Sequence, residues 1–280
     1  MRVCEALQSL EKFFSQKKIE TPKTDAELLL AFVLGCKRLD LFLHWENLLS
    51  ESQLGTLRAL SLRRGKREPL QYIIGSVDFF GQTIQVDSRV LIPRPETEEL
   101  VFQLKAFFEQ KTPTRGLDLG TGSGVIAIAL ASIFPEITMT AADISKEALD
   151  LAYDNALQNR LQERIQFVHS DWFQNVHGTF DVIVANPPYL SEEEVQEAQP
   201  EVRVYEPTSS LVSPENGLKD LKWIIKESRH YLNPQGLLVL ETGLNQHPLL
   251  TDYAKELGYS KIKSSKDLAQ RDRFLWCWIN

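Results

Sequence analysis

The sequence has only three cysteines in 280 residues, Cys4, Cys36 and Cys277. Three thiols so far apart cannot build a disulfide framework or a cysteine-based zinc site, and they suit a reducing, cytoplasmic address. Long apolar runs are also missing. None exceeds seven residues, the length of Leu28 to Leu34, whereas a membrane-spanning helix needs about 20. The opening Met1-Arg2-Val3-Cys4-Glu5 is mixed and acid-containing, so no secretory signal and no membrane association are expected. The five histidines (His44, His169, His177, His230 and His247) show no ligand spacing, and no metal is expected. Positive charge is in short supply. With 31 basic and 38 acidic side chains the net charge is −7, which argues against tight, sequence-independent nucleic-acid binding, because that rests on neutralising phosphates.

What is present is ordinary for a folded soluble protein: 43% hydrophobic and 25% charged residues, too apolar for disorder. The length suggests roughly two domains at about 150 residues each. Residues 1–80 carry net +2 and the remainder −9. The basic excess gathers at Arg58, Arg63, Arg64, Lys66 and Arg67, which reads as a solvated helix face or as a contact for an acidic partner.

Up to about residue 74 the periodicity is helical. Val3, Leu7, Leu10 and Phe14 form one apolar stripe. Thr24-Asp25-Ala26-Glu27 and Ser50-Glu51-Ser52-Gln53 read as capping boxes, and Gly35 as a helix stop. Residues 1–74 are therefore expected to form a small helical bundle. At 75–92, two short strands around Gly81-Gln82 predict a β-hairpin linker. From 93 to 280, strands and helices alternate. Strands are predicted at 115–119, 137–142, 164–169, 180–185 and 236–241, with a last strand at 273–279 paired to residues near 259–263. This order predicts an α/β fold, a doubly wound Rossmann-like parallel sheet with an antiparallel edge hairpin, whose ligands sit at the carboxyl ends of the strands.

Leu117-Asp118-Leu119-Gly120-Thr121-Gly122-Ser123-Gly124 places glycines between a strand and a helix. There they permit close backbone approach to a ligand beside free helix amides. Gly122, Gly124 and Ala127 also satisfy the relaxed nicotinamide pattern G-x-G-x-x-A. Asp143, at the end of the next strand, can accept from ribose hydroxyls. A nucleoside-containing cofactor follows, either NAD or S-adenosylmethionine. Strand four discriminates between them. Its apolar run ends in Asn186-Pro187-Pro188-Tyr189, where proline stops the strand and has no amide hydrogen. Asn186 offers a side-chain carbonyl, Pro187 a backbone one and Tyr189 a flat face, which together suit a planar –NH2 group.

These residues resemble the class I S-adenosylmethionine-dependent N-methyltransferases. Further stretches narrow the likeness: Pro69-Leu70-Gln71-Tyr72-Ile73-Ile74-Gly75, Leu91-Ile92-Pro93-Arg94-Pro95-Glu96-Thr97-Glu98, Ser170-Asp171-Trp172-Phe173 and Arg203-Val204-Tyr205-Glu206-Pro207. With these, essentially the whole chain resembles the PrmC/HemK-like family of peptide chain release factor N5-glutamine methyltransferases. The resemblance implies transfer of a methyl group from S-adenosyl-L-methionine, leaving S-adenosyl-L-homocysteine. The acceptor would be the side-chain nitrogen of the glutamine in the Gly-Gly-Gln motif of class 1 release factors. It implies that Gly120, Thr121, Gly122, Ser123 and Gly124 line the cofactor's methionine end, that Asp143 binds its ribose, and that Trp172 lies beside its adenine. Asn186 would serve cofactor and substrate alike, and Pro187, Pro188 and Tyr189 would complete the glutamine site. Asn186, Pro187 and Tyr189 are the expected catalytic residues. Pro93 to Glu98 would flank the pocket, and residues 1–74 would recognise the substrate. A cytoplasmic monomer without direct nucleic-acid binding is expected.

Two rivals share part of this pattern. DNA adenine or RNA base N-methyltransferases use the same cofactor loop and tetrapeptide, but the acidic stretch Glu192, Glu193, Glu194, Glu197, Glu201 and Glu206 would repel phosphate if exposed. An NAD-dependent oxidoreductase or a silent nucleotide-binding module fits the loop but not the strand-four motif, which has no evident proton donor.

Overall fold

In the computed structural model, which describes residues 1–280, the stripe of Val3, Leu7, Leu10 and Phe14 is buried along the helix Val3–Gln16. It shares one core with Leu29 and Leu30 of the helix Pro22–Leu34 and Leu57 of the helix Glu51–Gly65. Leu70 and Ile73, from the short helix Leu70–Ile74, complete that core. The Ser50 box forms as read: Ser50 Oγ accepts from the Gln53 amide at 3.2 Å, and Gln53 Oε1 from the Ser50 amide at 2.9 Å. The box expected at Thr24 does not form. The helix starts earlier, with Thr21 as cap and Pro22 in the first turn, where proline's fixed φ and missing N–H carry no penalty. Asp25 and Glu27 are spent on arginines instead.

Those arginines correct the reading of the basic excess. Arg64 is buried, donating to Asp25 Oδ2 at 2.7 Å and to Glu201 Oε1 at 2.8 Å. Arg67 forks onto Glu201, with Nε and a terminal nitrogen each at 2.6 Å. Their partners are inside the chain. Burial by itself would raise the Glu201 carboxyl, but the hydrogen bonds from Arg67 and Arg64 outweigh it and hold the group below the usual range. Glu201 reaches this cluster because residues Gln199–Tyr205 pack with Met1–Ser76 as one compact unit. The other unit comprises Val77–Ala198 and Glu206–Asn280. The contiguous division read from the sequence has no such return.

Strands β1 (Ser76–Phe79) and β2 (Gln82–Gln85) form the small hairpin sheet. After it comes a helix, Pro95–Phe107, which the sequence reading passes over. The main sheet has seven strands: β3 (Arg115–Leu119), β4 (Thr138–Asp143), β5 (Ile165–His169), β6 (Phe180–Ala185), β7 (Leu232–Glu241), β8 (Lys261–Lys266) and β9 (Asp272–Trp278). Their order is β5-β4-β3-β6-β7-β9-β8. The first five pair in parallel, and β9 joins β7 and β8 antiparallel, as the alternation and edge hairpin predict. The central strands are buried on both faces and read as apolar runs. The helix ahead of β7 spans Lys219–Ser228. Glu215 and Asn216 just before it hold positive φ, so the chain there turns instead of extending the helix.

The register positions the site. Leu119 lies opposite Ala142 on β4 and Ala185 on β6, and Ala185 lies opposite Leu240 on β7. The residues that follow, Gly120, Asp143, Asn186 and Glu241, therefore leave neighbouring strands at one level. This is the carboxyl edge at which the strand order reverses between β3 and β6, where doubly wound sheets bind ligands.

Candidate active site

At that edge the Gly120–Gly124 loop turns from β3 into the helix Val125–Ile133. Gly120, Gly122 and Gly124 all hold positive φ, at 69°, 54° and 82°, which side chains with a Cβ adopt only with strain. The turn is pinned from β4: Gly120 and Thr121 amides donate to the Ala142 carbonyl at 2.8 and 3.0 Å. Asp143 Oδ2 accepts the Gly122 amide at 2.8 Å, and Oδ1 the Ser145 amide at 2.9 Å. A carboxylate has about four lone-pair sites, so Asp143 keeps capacity for hydroxyl donors. Its burial raises the carboxyl above the usual range.

Asp118 lies behind the loop and is fully buried. Its Oδ2 accepts from Thr121 Oγ1 at 2.6 Å and from the Ala127 amide at 3.1 Å, while Oδ1 has no protein partner. Burial, partly offset by those hydrogen bonds, pushes this carboxyl up to about 7.

A cavity of about 620 Å³ opens over the loop, within the usual range of about 300–1,000 Å³ for small-ligand sites. Of the residues singled out in the sequence, Gly120, Thr121, Gly122, Ser123, Asp143, Trp172, Asn186 and Pro188 line it, as do Pro93 and Thr97 from the stretch Pro93 to Glu98. Trp172 holds a positive φ of 47° and donates from its indole to Asp220 Oδ1 at 3.2 Å. Its ring lies close beside Gly120. Gly124 is not in the lining; it caps the helix, against Ala152. Pro187 and Tyr189 are not in the lining either. Pro187 is buried. Tyr189 turns its hydroxyl to Glu241 Oε1 at 3.1 Å, and its backbone carbonyl accepts from Gln246 Nε2 at 2.9 Å.

Three residues in this region carry roles that the motifs do not reveal. Thr97 sits in the first turn of Pro95–Phe107, buried, and donates to Glu241 Oε2 at 2.7 Å. Asn186 Nδ2 donates to Thr97 Oγ1 at 3.0 Å. Glu241 is buried, which raises its carboxyl. A lone acid closing the apolar run Leu237-Leu238-Val239-Leu240 was the signal that could have found it. Gly217 is the third. A Cβ there would collide with the Tyr189 carbonyl oxygen, so only glycine lets this wall approach.

The acidic stretch beyond the tetrapeptide is divided. Glu192, Glu193, Glu194 and Glu197 are exposed, but Glu206 is buried against Arg94 at 2.8 Å. A second cleft, of about 730 Å³, lies on the other side of Trp172 and Asp220. It lacks the glycine loop and Asn186, and of its three lysines Lys222 and Lys226 are paired with Glu215 and Glu227.

Residues 5–75 match the family described as PrmC N-terminal domain, and residues 99–205 the family described as Methyltransferase small domain. The chain is 37% identical over 284 residues to a release factor glutamine methyltransferase of Rhodopirellula baltica, covering 98% of this chain and 95% of that one. The corresponding enzyme of Chlorobaculum tepidum is 39% identical, with 98% and 96% covered. Among solved structures, a methyltransferase from Pyrococcus furiosus aligns with a TM-score of 0.55 at 18% identity, over 82% of this chain and 98% of that one. The hMettl16 catalytic domain aligns with a TM-score of 0.60 at 18% identity, over 82% of each chain. At such identity these two speak for the fold alone.

Proposed function

Because the chain belongs to the release factor glutamine methyltransferase family, we propose that it transfers a methyl group from S-adenosyl-L-methionine to a glutamine side-chain nitrogen. The acceptor is the glutamine of the Gly-Gly-Gln motif in class 1 peptide chain release factors. The observation that carries this reading is the corner at the end of β6. Asn186 leaves the strand level with the glycine loop, and a proline with a free carbonyl follows it. A side-chain carbonyl and a peptide carbonyl side by side can accept both hydrogens of one carboxamide.

The residues present fit the cofactor. Asp143 has lone pairs left for ribose hydroxyls, and the glycine loop has no Cβ to obstruct the backbone. Asp143, Asp171 and Asp220 give the cavity an acidic lining, which favours a cationic ligand. We assign Gly120 to Ser123 to the methionine end, Asp143 to the ribose and Trp172 to the adenine face. When bound, S-adenosylmethionine supplies a methyl group made electrophilic by its sulfonium sulfur.

An amide nitrogen is a poor nucleophile because its lone pair is delocalised into the carbonyl. The chain's task is therefore placement. Asn186 Oδ1 and the Pro187 carbonyl hold the two N–H groups and stabilise positive charge as it develops on nitrogen. Tyr189 packs beside the amide plane, and Pro188 keeps the corner rigid. Positioning of this kind can supply roughly 7–11 kcal/mol, and preorganised acceptors add electrostatic stabilisation. No strong base is required before transfer, since the N–H becomes acidic only afterwards. In the same reading the helical unit recognises the release factor, and the chain works as a cytoplasmic monomer that does not bind nucleic acid directly. No helix is long and apolar enough to cross a membrane.

The test offers labelled cofactor with a purified release factor, duplex DNA and RNA in separate reactions. Label should enter the release factor alone; label in DNA or RNA would favour a base methyltransferase.

A further inference from the structure

Resting on that reading, we propose that Thr97 and Glu241 are positioning residues that decide which end of the Asn186 carboxamide faces the substrate. A carboxamide has a donor end and an acceptor end of nearly equal shape. Only one orientation leaves Oδ1 to accept from a glutamine N–H. The reversed one presents N–H to N–H and cannot hold the substrate.

The hydrogen-bond chain excludes the reversed orientation. Thr97 has one hydroxyl proton, and it goes to Glu241 Oε2 at 2.7 Å. Its oxygen therefore meets Asn186 only with lone pairs, and the group 3.0 Å away must be Nδ2. In its ionised form Glu241 is the fixed point, because a carboxylate only accepts. Its other oxygen takes the Tyr189 hydroxyl proton at 3.1 Å. One carboxylate thus orients both arms of the corner. Thr97 and Glu241 are only 2% and 1% exposed, so water does not compete for these bonds. The two residues come from a helix and a strand outside the tetrapeptide, and neither needs to touch the reacting atoms.

Protonation would undo the arrangement. A protonated Glu241 can donate to Thr97, which then donates to Asn186 and favours the wrong orientation. Its surroundings are Thr97 and Glu96 from the helix Pro95–Phe107, Tyr189 beyond β6 and Arg273 on β9. Burial outweighs the hydrogen bonds from Thr97 and Tyr189 and the charge of Arg273 and leaves the carboxyl above its usual range, so turnover should fall on the acid side through this group.

The experiment compares Thr97→Val, Thr97→Ser and Glu241→Gln in the full chain. It measures kcat and KM for a purified release factor across pH, and the affinity for S-adenosylhomocysteine by calorimetry. Thr97→Val should lower kcat by about 100-fold, as expected for a misplaced reacting group, with product affinity changed less than about threefold. Thr97→Ser should restore most of that loss, because it returns the hydroxyl. Glu241→Gln offers one acceptor where two hydroxyls need one, so kcat should drop at least about tenfold and the acid limb should disappear. A folded Thr97→Val variant with wild-type kcat overturns the proposal. If Thr97→Val fails to fold, an unchanged acid limb in Glu241→Gln overturns it instead. A wild-type chain that transfers no methyl group to release factor would refute the functional reading itself, a result distinct from either of these.

Discussion

Glu201 stands 137 positions from Arg64 in the chain and 2.8 Å from it in space. The guanidinium also meets Asp25 at 2.7 Å, and both Arg64 and Asp25 side chains are almost fully buried. Removing the cation would leave Asp25 without its arginine in a poorly solvated site, while Glu201 keeps Arg67. Arg64→Ala should therefore destabilise the protein by about 3–5 kcal/mol, read from urea unfolding followed by circular dichroism. A loss below about 1 kcal/mol, the range of an exposed pair, would contradict the buried placement. Because the Glu201 carboxyl is held low, its stabilising contribution is present above the unfolded value and is lost as pH falls through the folded one.

Asp118 gives the opposite sign. Its carboxyl is pushed up from 3.8 to about 7, so its contribution is complete below the unfolded value and is lost as pH rises through 7. Between pH 5 and 8 the wild-type chain should lose about 2–3 kcal/mol that Asp118→Asn does not lose. Urea titrations of both proteins at several pH values measure this. Parallel stability profiles would show that Asp118 is ionised throughout.

Two glycines should respond oppositely to alanine. At Gly217, with φ of 81°, the added Cβ meets the Tyr189 carbonyl. Gly217→Ala should cost about 1–3 kcal/mol or more and reduce methyl transfer at least about tenfold by shifting the corner. At Gly55, inside the helix Glu51–Gly65, a Cβ meets nothing within 4 Å. Gly55→Ala should stabilise by about 0.5–1 kcal/mol, with turnover unchanged. Melting curves and rate assays on the pair check both.

Asn186 and Asp143 should separate turnover from affinity. Asn186→Ala removes an acceptor for the substrate N–H and should lower kcat by about 10²–10³-fold, while S-adenosylhomocysteine binding stays within a few-fold. Asp143→Ala should weaken that binding by at least about tenfold, as expected for a charged hydrogen-bond partner. Equal turnover for Asn186→Ala and wild type at saturating substrate would remove Asn186 from the mechanism.

The main sheet was legible because parallel strands buried on both faces are written as apolar runs punctuated by glycine and proline. Leu117 to Gly124 and Val182 to Pro188 are such stretches, and the site lies where they end. The partners of Thr97, Glu241 and Arg64 were not legible, because they are remote in sequence. Thr97 reaches Glu241 across 144 positions, and no local pattern encodes that. The Thr24 box misled because Asp25 and Glu27 fit a cap equally well on paper. Their tertiary arginines, together with Pro22, decided otherwise. The arginine-rich segment before Glu68 misled similarly: composition shows charge, but not that Arg64 and Arg67 face internal carboxylates.

Mass spectrometry of a release factor after incubation with this protein and S-adenosylmethionine tests the central claim most directly. The account predicts one added methyl group, located by fragmentation on the side chain of the Gly-Gly-Gln glutamine and absent with the Asn186→Ala variant. An unmodified glutamine after complete reaction with active, cofactor-binding protein, or a methyl group on any other residue, would contradict it.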